Sequence, residues 1–191
     1  HHAQIDGVDP GVLRAAAGRA FEILFPGQAI APDEALQPAR IDQLGAQAVG
    51  RVNGQFNEVG WSPIRFFFRP LPFEEVVAWY AESDICWITP LRDGLNLVCK
   101  EYVATQGQTD GSGVLVLSEF AGAAAELHGA VLTNPHDPAD LRERLRQALD
   151  MDAGERDSRL RGLYDIVCHN DIDRWGREFL AAVAAVPASA G

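Results

Sequence analysis

The side chains best suited to chemistry follow an apolar run at residues 85–89. Asp93, Gly94 and Asn96 come soon after it, and Glu101 lies further along a segment with helical spacing. The first turn of a helix carries N–H groups that lack intrahelical acceptors and have partial positive charge, so it suits a phosphate or diphosphate. A carboxylate just before such a turn suits sugar hydroxyls. The segment therefore predicts a site for a ligand that carries both groups.

The predicted helix places the donors and acceptors of this site in order. Its free N–H groups are expected near Asn96, Leu97 and Val98. Glu101 lies one turn beyond Val98 on the same face, where its carboxylate suits two ribose hydroxyls. Gly94 lets a ligand approach the backbone closely.

The same residues also fit an ordinary strand-to-helix connection, which many folds share. Asp93 is then only a helix cap, and Lys100 and Glu101 are solvated helix charges. The two interpretations differ for Asp93→Asn. A mere cap tolerates the change, because Asn caps about as well as Asp. A sugar-binding role predicts an intact fold and slower turnover.

Strands and helices alternate around this segment. Apolar runs predict strands at residues 64–68, 85–89, 113–117 and 130–133. Helices are predicted at residues 12–25, 42–53, 73–83, 96–106 and 121–127, and from 138 to 186 with breaks near Ala153 and Asn170. This alternation is typical of an α/β fold with a parallel sheet, whose ligands bind beyond the carboxyl ends of the strands. The loops at 89–95, 118–122 and 133–137 should therefore line the site.

Composition narrows the classes of partner. The 191 residues carry a net charge of −11, which disfavours nucleic acid and anionic membranes. No apolar run is long enough to span a bilayer and no signal peptide is evident, so we expect a cytoplasmic protein. The three cysteines form no CxxC pair, and the histidines have no metal-binding spacing. We therefore expect no metal and no cofactor.

Several separate motifs resemble one family of enzymes. They read TPLRDGLNLVCKEYVATQ at 89–106, GVLVLSEFAGAAAEL at 113–127, LTNPHD at 132–137 and NDIDRW at 170–175. In this order they resemble the trehalose-phosphate synthase and glucosylglycerol-phosphate synthase family of glycosyltransferases. The resemblance implies a Rossmann-like domain at residues 41–191, the second, donor-binding domain of the two-domain GT-B architecture, with helices at its carboxyl end. Residues 1–40 match poorly.

The resemblance also implies roles for individual residues. Asp93 would be the catalytic residue that holds a glucose hydroxyl. The donor nucleotide sugar would be bound by Gly94, Leu95, Asn96, Leu97, Val98, Glu101 and, at the nucleobase, Arg69. The family transfers glucose with retention of anomeric configuration and needs no protein nucleophile. The leaving phosphate helps to deprotonate the acceptor on the same face.

The acceptor is less directly indicated. Leu95 and the TNPHD segment resemble the glucosylglycerol type, which implies ADP-glucose as donor, glycerol 3-phosphate as acceptor and a compatible solute made under osmotic stress. One alternative is trehalose-6-phosphate synthesis from UDP- or ADP-glucose and glucose 6-phosphate. Another is a non-catalytic nucleotide-sugar-binding module. The family's diphosphate-clamping arginine and lysine and its amino-terminal domain are missing, so we expect an incomplete, inactive half. Homo-oligomerisation stays open.

Overall fold

Residues 21–24, 38–67 and 71–185 are described by a computed structural model. Strand β1 (Phe21–Leu24) pairs in parallel with β2 (Ile64–Phe67). The helix predicted over residues 12–25 is therefore wrong for 21–24, and the rest of that range lies outside the described residues. The apolar spacing fits a helix, but Phe21 and Ile23 also favour strands, and pairing with β2 decided between them.

A second sheet contains β3 (Ile85–Ile88), β4 (Val114–Ser118) and β5 (Val131–Thr133) in the order β3-β4-β5, all parallel. The α/β class with parallel strands is thus confirmed. Every residue of β4 is buried, as expected for a central strand covered on both faces. At the edge of this sheet, β3 is only half-buried.

Helices connect and follow the strands: α1 (Pro38–Phe56), α2 (Phe73–Glu82), α3 (Leu97–Gln108), α4 (Pro138–Asp150), α5 (Ala153–His169) and α6 (Ile172–Ala184). The helix expected at 121–127 is a short 3-10 helix, Gly122–Ala125. The breaks predicted near Ala153 and Asn170 are confirmed. Asp152 and Asp171 cap the helices that follow them, with their side chains accepting from Glu155 and Arg174 N–H.

The chain divides into two compact units. One comprises His1–Val76 with Pro135–Asp150, and the other Val77–Asn134 with Met151–Gly191. The second unit holds β3, α3, β4 and β5. The extent predicted for the donor-binding domain, residues 41–191, stays a prediction. No helix of the described residues is both long and apolar enough to cross a membrane.

A buried glutamine fixes α3 within the second unit. Gln106 is 2% exposed, and its Nε2 donates to the carbonyls of Tyr80, Ala81 and Ser83 at 2.6, 3.2 and 3.1 Å. Its Oε1 accepts from Gly113 N–H at 3.0 Å, just before β4. A helix end leaves carbonyls without intrahelical donors, and Gln106 supplies donors at the end of α2. These bonds tie α3 to both neighbours and so position its opposite, amino-terminal end.

Candidate functional site

The loop between β3 and α3 is held against the loop that follows β4. Asp93 N–H donates to the Phe120 carbonyl at 3.2 Å, and Gly122 N–H donates to the Asp93 carbonyl at 3.0 Å. Ala123 N–H extends the ladder to the Leu95 carbonyl at 2.9 Å. The two loops predicted to line the site, 89–95 and 118–122, are therefore joined at the carboxyl ends of adjacent parallel strands.

Two glycines in these loops have different reasons to be glycine. A Cβ on Gly122 would lie 2.1 Å from the Gly94 carbonyl oxygen, so the backbone pairing itself requires glycine at 122. A Cβ on Gly94 would meet nothing within 4 Å. The fold therefore does not require glycine at 94, and the space above it is open to a ligand. The sequence pattern missed the requirement at Gly122, because it is created by a partner loop.

Asn96, not Asp93, caps α3. Asn96 has φ 67°, in the left-handed region that Asn tolerates better than most residues, and its Oδ1 accepts from Cys99 N–H at 3.0 Å. The Asp93 carboxylate instead accepts from Leu95 N–H at 3.1 Å and from Asn96 Nδ2 at 2.9 Å. The interpretation of Asp93 as only a helix cap is therefore wrong, because the chain reaches its first helical residue, Leu97, three positions later than such a cap allows.

The first turn of α3 carries two backbone N–H groups without intrahelical acceptors. Leu97 and Val98 are its first residues, so their N–H groups have no intrahelical acceptor. Leu95 and Leu97 have 50% and 57% of their side chains exposed, and Phe120 on the partner loop has 43%. Such a set of donors beside exposed apolar groups suits a ligand with an anionic part and a non-polar surface.

Charged residues on α3 have separate roles. Glu101 is exposed, and one carboxylate oxygen accepts from the Tyr80 hydroxyl at 3.5 Å. Lys100 is not a solvated helix charge, because its Nζ lies 2.5 Å from Glu126 Oε1. Asn170 Nδ2 donates to the other oxygen of Glu126 at 2.7 Å. Partial burial raises the pKa of Glu126, but hydrogen bonds from Lys100 and Asn170 and the Lys100 charge outweigh it and lower the pKa.

An open cavity of about 420 Å³ lies at the joined loops. Its lining includes Arg92, Asp93, Gly94, Glu119, Phe120 and Gly122. Among the described residues that were predicted for the site, only Asp93 and Gly94 line this cavity. The others, which are Leu95, Asn96, Leu97, Val98 and Glu101, lie on the adjoining loop and helix. Arg92 was missed by sequence reasoning, although it directly precedes Asp93. Arg69 lies outside the described residues.

Cys99 has a structural role at the start of α3. Cys99 is fully buried, and its thiol donates to the Asn96 carbonyl at 3.1 Å. Burial raises the pKa of Cys99 to about 12, so its thiol stays protonated near neutral pH. Cys168 is exposed on α5. Cys86 is half-buried.

Comparison with solved structures identifies the class of protein. The chain matches an α,α-trehalose-phosphate synthase (UDP-forming) from Burkholderia vietnamiensis with a TM-score of 0.79 and 36% identity, over 97% of this chain and 42% of that one. It also matches the E. coli trehalose-6-phosphate enzyme described as bound with UDP-2-fluoro glucose, with a TM-score of 0.77 and 31% identity, over 97% and 42%. The chain therefore has the fold of GT-B glycosyltransferases.

The family follows from the sequence match. The chain belongs to glycosyltransferase family 20, whose model matches residues 35–185. It is 68% identical over 138 residues to a glucosylglycerol-phosphate synthase of Pseudomonas anguilliseptica, which covers 72% of this chain and 18% of that protein. A trehalose-6-phosphate synthase of Mycobacterium leprae is 49% identical over 140 residues, or 73% of this chain and 28% of that protein. The matched part of the chain thus covers less than a third of the length of each of these two relatives.

Proposed function

We propose that this chain is the donor-binding part of a retaining glucosyltransferase that moves glucose from ADP-glucose to glycerol 3-phosphate. The product would be glucosylglycerol-phosphate, the precursor of a compatible solute used under osmotic stress. The observation that carries the proposal is the first turn of α3, with free Leu97 and Val98 N–H groups beside the Asp93 carboxylate. The 68% identity to a glucosylglycerol-phosphate synthase supports this acceptor.

In this proposal, the donor lies along the loop and the start of α3. Asp93 accepts from a glucose hydroxyl, and the backbone from Gly94 to Asn96 contacts the sugar. The N–H groups of Leu97 and Val98 hold the diphosphate. The open space at Gly94 supports a close approach of the ligand. Glu101 takes the ribose hydroxyls, and the family resemblance assigns the nucleobase to Arg69.

The proposed chemistry relies on charge development. When glucose leaves the diphosphate, negative charge grows on the leaving phosphate. N–H donors already fixed at a helix start stabilise that charge more in the transition state than in the ground state. The same phosphate would take the proton of the acceptor hydroxyl, which attacks from the face that the phosphate leaves. Retention then needs no protein nucleophile.

We further propose that the chain works together with an amino-terminal domain that completes the cleft and supplies the acceptor pocket and the diphosphate clamp. Helix α6 supports this, because five of its large apolar side chains are more than half exposed: Ile172, Trp175, Phe179, Leu180 and Val183. An apolar helix face of this kind is usually covered by another part of the protein. The chain alone would bind the donor without turning it over.

One of two alternatives has specific support. The 49% identity to a trehalose-6-phosphate synthase favours glucose 6-phosphate as acceptor and UDP- or ADP-glucose as donor. A non-catalytic nucleotide-sugar-binding module is favoured if the donor binds without turnover in the two-domain protein.

We place the protein in the cytoplasm, since its free cysteines suit a reducing compartment.

The deciding experiment assays the two-domain protein with ADP-glucose or UDP-glucose against glycerol 3-phosphate and glucose 6-phosphate. We expect turnover with ADP-glucose and glycerol 3-phosphate. Preference for glucose 6-phosphate would replace the acceptor, and binding without turnover would favour the module.

A second measurement tests the site within the chain. Glu101→Ala should weaken ADP-glucose binding by roughly 1.5–3 kcal/mol, because a carboxylate's hydrogen bonds to ribose are lost. Calorimetry on the folded variant reports this change. Unchanged affinity would reassign Glu101 to a surface role.

A further inference from the structure

The hydroxyl of a buried tyrosine, Tyr80, contacts Glu101 of the candidate site. Tyr80 lies on α2 and is 6% exposed, and its hydroxyl is 3.5 Å from Glu101 Oε2 on α3. The Tyr80 ring packs edge-on against Tyr102, with ring centroids 6.1 Å apart at 85°. Its carbonyl accepts from Gln106 at 2.6 Å. The ring, the backbone and the hydroxyl of Tyr80 are therefore each held by a residue of α3.

The hydroxyl is a donor and the carboxylate is its acceptor. Burial raises the pKa of Tyr80, and the nearby Glu101 carboxylate raises it further, so the phenol stays protonated at neutral pH. A buried hydroxyl needs a hydrogen-bond partner, and Glu101 supplies one. The bond occupies only Oε2, and Oε1 is left for a ligand.

An exposed glutamate samples several rotamers, and a ligand that binds it must restrict this motion. The Tyr80 hydroxyl restricts the Glu101 side chain before the ligand arrives. Preorganisation of this kind raises affinity because less entropy is lost on binding.

We propose that Tyr80 is a positioning residue, which holds the Glu101 carboxylate so that its free oxygen meets the ribose hydroxyls of the nucleotide. This rests on the ribose role proposed above for Glu101. The packing of α2 on α3 does not require the hydroxyl, because the ring contact with Tyr102 and the three Gln106 bonds hold these helices without it. The hydroxyl can therefore be removed while the helix pairing is kept.

The test compares binding of ADP and of 2′,3′-dideoxy-ADP to the 191-residue chain by calorimetry. The ratio of the two affinities reports the ribose hydroxyls alone, because any general damage to the fold weakens both ligands. In the unmodified chain we expect ADP to bind at least about tenfold more tightly, as for one hydrogen bond to a charged group. Tyr80→Phe should reduce this ratio at least about threefold and leave dideoxy-ADP affinity unchanged.

Two further variants serve as the positive and the negative control. Glu101→Ala should bring the ratio close to one. Tyr102→Phe is the matched control, since it removes another buried tyrosine hydroxyl, which donates to the Ser83 carbonyl at 3.1 Å and not to Glu101. It should keep the full ratio.

A variant at Glu101, which is exposed, tests the same contact without changing the buried Tyr80. Glu101→Asp retains the charge and shortens the side chain, so it draws the carboxylate away from Tyr80 and should lower the ratio. Adding Tyr80→Phe to Glu101→Asp should then lower it no further, because the coupling is already lost.

The outcomes separate the two proposals. An unchanged ratio in Tyr80→Phe beside a collapsed ratio in Glu101→Ala would overturn the role of Tyr80 alone. Equal loss of both ligands in Tyr80→Phe would make Tyr80 merely structural. An unchanged ratio in Glu101→Ala would overturn the ribose role of Glu101 and with it that of Tyr80. A chain that binds neither ligand would overturn the donor-binding function itself.

Discussion

The Asp93 carboxylate accepts a hydrogen bond from the Asn96 side-chain amide at 2.9 Å, and this bond decides which end of that amide faces the helix. With Nδ2 held by Asp93, Oδ1 is turned toward Cys99 N–H, which it meets at 3.0 Å. Asp93 therefore shapes the start of α3 through Asn96. A residue proposed to orient a sugar is also the residue that aligns the helix start proposed to hold the diphosphate.

This relationship changes the expectation for Asp93→Asn. Asn at 93 has one acceptor oxygen, so it can accept from Leu95 N–H or from Asn96 Nδ2 but not from both, unless Asn96 flips and no longer caps Cys99. Either arrangement loses a hydrogen bond, so we expect a loss of about 1 kcal/mol in the free energy of unfolding, as for a lost cap. Turnover of the two-domain enzyme should also fall at least about tenfold, a barrier rise of about 1.4 kcal/mol.

Melting curves and saturating turnover measure the two effects separately. Asp152→Asn is the matched control, because Asp152 is an ordinary N-cap whose side chain accepts from Glu155 N–H at 3.0 Å. It should be nearly neutral. If Asp93→Asn and Asp152→Asn lower the melting temperature equally, Asp93 does not align the start of α3. If Asp93→Asn keeps full turnover, Asp93 does not orient the sugar.

The two loop glycines should respond oppositely to alanine. Gly122→Ala brings a Cβ to 2.1 Å from the Gly94 carbonyl oxygen, so the paired loops must move apart, and overpacking of this kind costs about 1–3 kcal/mol. Gly94→Ala meets nothing within 4 Å and should leave melting unchanged. It should nevertheless weaken ADP-glucose binding about tenfold, or about 1.4 kcal/mol, because the methyl group occupies the space proposed for the ligand. Undiminished affinity in Gly94→Ala, measured by calorimetry, would argue against that approach.

Asn96 combines a cap with a left-handed backbone, and two substitutions separate these contributions. Asn96→Gly loses the cap and the bond to Asp93 but accepts φ 67° without strain, so we expect a cost of about 1 kcal/mol. Asn96→Ala loses the cap and strains the backbone, so about 2 kcal/mol is expected. Denaturant unfolding of both variants measures the difference. An alanine variant as stable as the glycine variant would refute the strain.

The Lys100–Glu126–Asn170 cluster should make stability depend on pH. The pKa of Glu126 is lower in the folded chain than its ordinary value, so its contribution is fully present above the unfolded value of about 4.3 and is lost as pH falls through the folded value. Glu126→Gln should therefore destabilise the chain at pH 7 and have little effect on its stability near pH 3. Unfolding free energies of both chains over pH 3–7 test this. A difference that does not shrink on acidification would show that packing, not charge, explains the effect.

Local patterns were sufficient for much of this molecule. The apolar runs at β3, β4 and β5 predicted those strands within a few residues. These features depend on side-chain spacing along one segment, so they can be predicted without knowledge of the partners. The ordered motifs also identified the glycosyltransferase family correctly, because separate loops of one site each carry their own residues.

Tertiary structure decided whatever depends on two distant segments. β1 is a strand because β2 lies beside it, and Gly122 must be glycine because the Gly94 carbonyl comes within reach of its missing side chain. The Tyr80 hydroxyl meets Glu101 only because α2 packs on α3. Hydrogen bonds and steric contacts act over a few ångströms in space, whereas Tyr80 and Glu101 are 21 residues apart in the chain.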